Sequence, residues 1–291
     1  MIDYKKFVEN SRKWLSNYIK DNHLQSLIVG CSGGIDSTVS CAIAFPVCKE
    51  LNIPLIGRSL PTGTNKQIEC DVADLVGNAF CTDYKVVALD RMYFSIVSKF
   101  EENEGFINNI QSGNIKARLR MMYLYNLASI HKGIVLDNDN FTEWNLGFFT
   151  KNGDVGDINL GIHYLWKTEI YELAGYLEKY HHLCYLNNME SKDKWKAIYE
   201  SIKLTPTDGN GVATGGDCGQ FGLDNYEQVD DVLKTMYYPE GSPISSEKDE
   251  YIRLIDSYNE QGVDKVMCLH QTTAYKRIPA PIMPTKEELE L

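Results

Sequence analysis

Four short apolar runs spaced by helix-length segments constrain this chain more than any other feature. SLIVG (26–30), PLIGRSL (54–60), YKVVAL (84–89) and GIVLD (133–137) are strand-like. Residues 37–50, 64–80, 91–102 and 113–131 carry helical spacing between and around them, as do 3–20 and 167–180. Strands that alternate with helices predict βαβ units and a parallel sheet, an α/β fold. Open sheets of that kind bind ligands beyond the carboxyl ends of their strands. The segments just after the strands are therefore where chemistry is expected.

From residue 181 to about 225 the pattern weakens. The glycine-rich stretch LTPTDGNGVATGGDCGQFG (204–222) reads as a long flexible loop at a functional site. Residues 246–261 and 263–277 are predicted helical, and 280–291 form an acidic tail. No repeat or linker divides the chain, so residues 1–291 are expected to form a single domain.

Charge excludes some partners. Lys and Arg number 29 against 40 Asp and Glu, a net charge of −11. Non-specific binding to nucleic acid or an anionic membrane needs the opposite balance. No run approaches the roughly 18 apolar residues of a membrane span, and the N-terminus lacks the pattern of a signal peptide. The eight cysteines are scattered without a C-x-x-C pair, which predicts reduced thiols in a cytoplasmic protein. In that compartment the glycosylation sequon Asn140-Phe141-Thr142 is incidental.

The first strand runs directly into Ser32-Gly33-Gly34-Ile35-Asp36-Ser37 and a helix. Gly33 and Gly34 lack Cβ atoms, so a phosphate can approach their N–H groups, and the helix N-terminus adds free donors and a favourable dipole. Ser32, Ser37 and Thr38 offer hydroxyls to phosphate oxygens. The loop is not a G-x-x-x-x-G-K-[ST] phosphate loop, because Asp36 stands where that loop has a lysine. A carboxylate facing a phosphate calls for a cation between them, so Asp36 implies magnesium. A tight turn with Asp and Ser capping the next helix is the plainer alternative.

Two later segments carry further polar groups. In GNIKARLRMMYLYNLA (113–128), Lys116 and Arg120 are i,i+4 neighbours with Arg118 close by, a spacing that favours an anionic partner. After the fourth strand, Asp137-Asn138-Asp139-Asn140-Phe141-Thr142-Glu143 superficially suggests a calcium loop. Phe141 falls where a ligand belongs and the required glycine is missing, so calcium is rejected.

S-G-G-x-D-S is the signature of the N-type ATP pyrophosphatases. The loop, the 113–128 helix and Gly147-Phe148-Phe149-Thr150-Lys151-Asn152-Gly153-Asp154, in this order over residues 27–280, resemble the ammonia-dependent NAD synthetases. The resemblance implies a three-layer α/β/α, Rossmann-like fold with a mostly parallel sheet, of the adenine-nucleotide alpha-hydrolase type. It implies ligation of ammonia to deamido-NAD with cleavage of ATP to AMP and pyrophosphate, in a cytoplasmic homodimer. By resemblance Asp36 and Glu143 hold Mg2+, and Lys167 in LWKTEIYEL pairs with the ATP phosphates. Asn138 and Thr207 lie against ATP, while Arg118, Lys151, Asp157, Tyr275 and Lys276 lie near the dinucleotide. Arg58, after the second strand, is a weaker candidate for ATP. Asn138, Thr142, Trp144 and Tyr275 stand where the family commonly has other residues. Glutamine-dependent relatives carry an added amidohydrolase domain for which 291 residues leave no room, so free ammonia is the expected donor. The alternatives are another ligase with the same loop, such as a tRNA-modifying enzyme, and a non-catalytic nucleotide-binding relative. The missing C-x-x-C pairs and the acidic balance weigh against the tRNA enzyme.

Overall fold

The computed structural model describes residues 2–185, 189–207, 216–236 and 247–278. Helix α1 (Tyr4–Asp21) opens on Asp3, whose carboxylate accepts the Lys6 N–H at 3.0 Å. The first half of the chain then alternates as the apolar runs predict: β1 (Ser26–Gly30), α2 (Ile35–Leu51), β2 (Leu55–Ser59), α3 (Gln67–Phe80) and β3 (Asp83–Val86). Two consecutive helices follow, α4 (Asp90–Glu104) and α5 (Asn109–His131), before β4 (Gly133–Asp137), the short α6 (Phe141–Leu146) and β5 (Ile158–Asn159). Helices α7 (Lys167–Tyr185), α8 (Met189–Lys203), α9 (Asp217–Phe221), α10 (Tyr226–Thr235), α11 (Glu247–Ser257) and α12 (Glu260–Thr272) complete the chain.

All five strands are parallel, in the order β3-β2-β1-β4-β5. Leu27 pairs with Leu55 on one side and with Ile134 on the other, which fixes β1 at the centre. Alternation along β1 sorts its side chains between two cores. Leu27 and Val29 join residues of α1, α2, α3, α7 and α8, such as Leu15, Ile43, Val76 and Leu173. Ile28 joins Ile56, Val135 and the α5 residues Leu119 and Leu124 on the opposite face. This is the three-layer α/β/α arrangement. A third apolar cluster, with Leu146, Phe221, Val229, Leu254 and Val263, ties α6 to α9, α10, α11 and α12. Leu27 and Ile28 are fully buried, and truncating such a residue to alanine costs about 2–5 kcal/mol.

Several boundaries differ from the sequence expectation. The predicted 246–261 helix ends at Ser257 because Asn259 turns the chain and caps α12, accepting the Gln261 N–H. The predicted 263–277 helix ends at Thr272, followed by a 3₁₀ turn at Ala274–Arg277. Within 204–222, Asp217–Phe221 is helical, because Phe221 and Leu223 anchor it in the third cluster. Residues 208–215 of that loop and 279–291 of the tail lie outside the described residues.

Candidate active site

β1 has its sequence neighbour β2 on one side and β4 on the other, so the chain leaves it toward opposite edges of the sheet. A crevice opens at such a switch point. The loop after β1 and the loop after β4 face each other across it, within a cavity of about 570 Å³. Ser32, Gly34, Asp36, Ser37, Asn138, Glu143, Lys167, Thr207 and Lys276 all line this cavity.

The glycine loop is built by close packing. Gly33 has φ +82°, and a Cβ there would stand 2.6 Å from the Glu69 carbonyl oxygen and 2.8 Å from the Ala73 nitrogen of α3. Only glycine fits both the left-handed conformation and the contact with α3. Gly34 caps α2 in an extended conformation, and its N–H donates to Ser32 Oγ at 3.2 Å. Ser32 and Ser37 hydroxyls meet at 3.1 Å, and Ser37 Oγ also donates to the Gly34 carbonyl. Thr38 behaves differently from the expectation. It is fully buried, donates to the Gly34 carbonyl at 2.9 Å and meets Ser201 Oγ at 2.7 Å, so it braces the loop from behind.

Lys167 is the centre of charge. Its Nζ lies 2.6 Å from Asp36 Oδ2 and 2.9 Å from Glu143 Oε1, and 5.3 Å from the centre of the Tyr226 ring. Burial opposes the ammonium, but the two carboxylates hold it protonated well above the ordinary lysine range. Burial pushes the Glu143 carboxyl up to about 7, with Lys167 pulling it down and Asp36 adding to the rise. Resemblance placed Lys167 against phosphate, whereas here it bridges the two expected magnesium ligands.

Neighbouring residues fix that geometry. Asn140 caps α6, accepting the Glu143 N–H at 3.0 Å, and donates from Nδ2 to Asp36 Oδ1 at 2.8 Å. The first turn of α7 is held by two side chains from outside it. Thr142 Oγ1 accepts the Lys167 N–H at 2.8 Å, and Asp230 Oδ2 of α10 accepts the Thr168 N–H at 2.9 Å. Thr142 in turn donates to Asp230 Oδ1. Asn140 and Asp230 escaped the sequence reading. The capping position of Asn140, three residues before Glu143, was a readable signal, whereas nothing local marks Asp230.

The acidic loop contributes a second group of carboxyls. Asp137 is structural, accepting from Gly156 N and Asn159 Nδ2. Asp139 lines the cavity and is raised well above the carboxylate range by burial and then by Asp137. Asp154, also lining it, is pushed up to about 7 by burial, with the Thr150 N–H and Lys276 working against the rise. Among the described residues, Asp139 Oδ2 and Asn138 Oδ1 are buried acceptors without a donor.

Other candidates fall into two places. Thr207 Oγ1 donates to Glu69 Oε1 at 2.6 Å, and Lys276 Nζ donates to the Gly147 and Phe149 carbonyls at 2.7 and 2.6 Å. Arg118 is exposed and belongs to a separate depression with Met122, Tyr125 and Asn152. Its Nε donates to the Lys151 carbonyl, and the Tyr125 hydroxyl donates to Asp157 Oδ1 at 2.8 Å, so Arg118, Lys151 and Asp157 gather on this outer side. Tyr275 is 58% exposed and does not line the main cavity. Arg58 lines the main cavity, and its guanidinium pairs with Asp83 at 2.9 Å. Arg120 lines the cavity and donates to the Leu60 carbonyl at 3.1 Å, and Lys116 is buried, donating to Thr64 Oγ1 at 3.1 Å.

Comparison with known proteins gives a consistent picture. The sequence matches the family described as NAD synthase over residues 7–280. The NH(3)-dependent NAD(+) synthetase of Thermoplasma volcanium is 31% identical over 81% of this chain and 86% of its own length. That of Thermoplasma acidophilum is 30% identical over 89% and 94%. Among solved structures, an NMN synthetase from Francisella tularensis aligns with TM-score 0.74 at 23% identity, covering 98% of this chain and all of that one. An NH3-dependent NAD synthetase from Campylobacter jejuni aligns with TM-score 0.67 at 21% identity, covering 97% of this chain and all of that one.

Proposed function

The chain belongs to the NAD synthase family, and from that premise we infer that it amidates deamido-NAD with ammonia at the expense of ATP. It is a carbon–nitrogen ligase, with ATP as co-substrate. A carboxylate is a poor acceptor for ammonia because oxide is a hopeless leaving group. Attack of a nicotinate carboxylate oxygen on the α-phosphorus forms an acyl adenylate and expels pyrophosphate. Ammonia then adds to the acyl carbon, AMP leaves with the former carboxylate oxygen, and a proton is lost from nitrogen. Neither step uses a side-chain nucleophile, so positioning and charge neutralisation supply the catalysis.

The observation that carries this reading is the convergence of Asp36, Glu143 and Lys167 beside the glycine loop. Lys167 is a fixed positive charge at the start of α7, and the Ser32–Ser37 loop offers N–H and hydroxyl donors to the departing pyrophosphate. Asp36 and Glu143, which flank the Lys167 ammonium, are hard carboxylate donors of the kind that hold Mg2+. When bound by Asp36 and Glu143, magnesium would neutralise charge on the phosphates. Arg118, Lys151, Asp157 and Lys276 are assigned to the dinucleotide, Asn138 and Thr207 to ATP.

A homodimer is part of the same reading. Helix α4 buries no residue, and exposed apolar side chains stand on α4 (Phe94, 62% exposed), on the α4–α5 connection (Phe106, 87%) and on α5 (Ile130, 65%). We assign that surface to a second copy of the chain, in a reducing cytoplasm that suits its free thiols. The described helices include none long and apolar enough to cross a membrane.

Substrate choice is tested by offering deamido-NAD and nicotinate mononucleotide separately with ATP, Mg2+ and ammonium. The reading requires the higher kcat/KM on deamido-NAD. Preference for the mononucleotide would overturn the dinucleotide assignment, and absence of AMP with either would overturn the ligase.

A further inference from the structure

Three cysteines distant in sequence come together under the glycine loop. Cys31 follows β1 and directly precedes Ser32, Cys41 lies within α2, and Cys81 links α3 to β3. Their sulfur atoms all lie within 4.8 Å of one another, with Cys31 and Cys81 Sγ 3.9 Å apart. Among the described residues this is the one such group of metal-ligating side chains. Cys31 and Cys41 are buried, while Cys81 is partly accessible and Cys31 borders the main cavity.

Gly57 of β2 makes the space. A Cβ at that position would stand 2.4 Å from Cys81 Sγ and 2.9 Å from Cys31 Sγ, so the sulfurs occupy the volume a side chain would fill. Thiolates about 2.3 Å from a tetrahedral ion stand roughly 3.8 Å apart, close to the separation of Cys31 and Cys81.

We propose that Cys31, Cys41 and Cys81 form a binding site for one soft metal ion of the zinc class. Three thiolates and a divalent ion leave one negative charge, and the nearest cation, the buried Arg58, is shared with Asp83 at 2.9 Å. Soft thiolate donors select zinc-like ions over magnesium, so this site and the Asp36–Glu143 pair would not compete for one metal. An ion held by the cysteines would join the start of the glycine loop to α2 and to the α3–β3 junction.

The test is titration of the reduced, metal-free full chain with Cd2+ and with Zn2+. Cadmium is expected to produce a thiolate-to-metal charge-transfer band that saturates at one equivalent, and Cys81→Ser should abolish it. Cys268→Ser, at an exposed position, should leave the band unchanged. X-ray absorption of the Zn2+-loaded wild-type chain guards against misfolding of the variant, with three sulfur neighbours expected at about 2.3 Å. Absence of the band, a band that survives in folded Cys81→Ser, or a zinc shell of nitrogen and oxygen alone would overturn the proposal.

Discussion

Replacing Lys167 by methionine keeps the unbranched apolar stem as far as Cε and removes the charge on which two carboxylates converge. With Nζ 2.6 Å from Asp36 and 2.9 Å from Glu143, the two carboxylate oxygens stand at most about 5.5 Å apart. Side-chain exposure is 3% for Lys167 and 15% for each acid, so solvent screens them only in part. At an effective dielectric constant of about 20, like charges 5 Å apart repel by roughly 3 kcal/mol. Removing one partner of a buried ion pair costs about 3–5 kcal/mol in general, so Lys167→Met is expected to lose that much at pH 8. The loss has a pH signature. Repulsion raises the folded carboxyl pKa values, the folded state then binds more protons than the unfolded one, and stability falls as pH rises. The deficit should accordingly shrink at pH 5, where one carboxyl is neutral. Urea unfolding at pH 5 and 8, with and without Mg2+, measures it, and Mg2+ should restore part of the loss at pH 8. Pyrophosphate release should drop at least 100-fold. A pH-independent loss under about 1 kcal/mol would refute the convergence on Lys167.

Further expectations concern the surrounding scaffold. Gly33→Ala forces a Cβ against the Glu69 carbonyl at φ +82°, and should cost about 1–3 kcal/mol in thermal unfolding while raising the KM for ATP. Asp230→Ala removes the acceptor for the Thr168 N–H and the Thr142 hydroxyl. It should lower kcat more than it raises KM, with Asp230→Asn recovering part of the rate. The Asp154 carboxyl, held up to about 7 by burial against an ordinary value of 3.8, makes the folded protein lose stability as pH rises between those values, by at most about 4 kcal/mol. Melting curves of Asp154→Asn should lack that component, and curves parallel to wild type would exclude it. The wild type is expected to sediment as a dimer, and Phe94→Glu with Ile130→Glu as a monomer.

The sheet was legible because β1, β2 and β4 each carry a short apolar run and lead into polar loops. Their helices carry unbroken periodicity, so α1, α2, α5 and α7 fall close to their expected bounds. Helices α8 and α10 were not read because their apolar residues are sparse and pack against neighbours distant in sequence. Within the site, Asp36, Glu143 and Lys167 stood out in local motifs. Asp230 did not, since its role arises only when α10 meets the start of α7. Thr38 and Arg58 show the converse. Each has the right chemistry beside the right loop, yet one is engaged by Ser201 and the other by Asp83. Side-chain direction at a strand end is decided by tertiary partners, which spacing along one chain does not reveal.

The central claim is that a carboxylate oxygen attacks the α-phosphorus of ATP before ammonia reacts. Deamido-NAD labelled with oxygen-18 in its nicotinate carboxylate tests it directly. Turnover with ATP, Mg2+ and ammonium should deliver one labelled oxygen into the phosphate of AMP for each amide formed, with unlabelled pyrophosphate. Label in orthophosphate together with ADP, or AMP formed without label, would contradict the account.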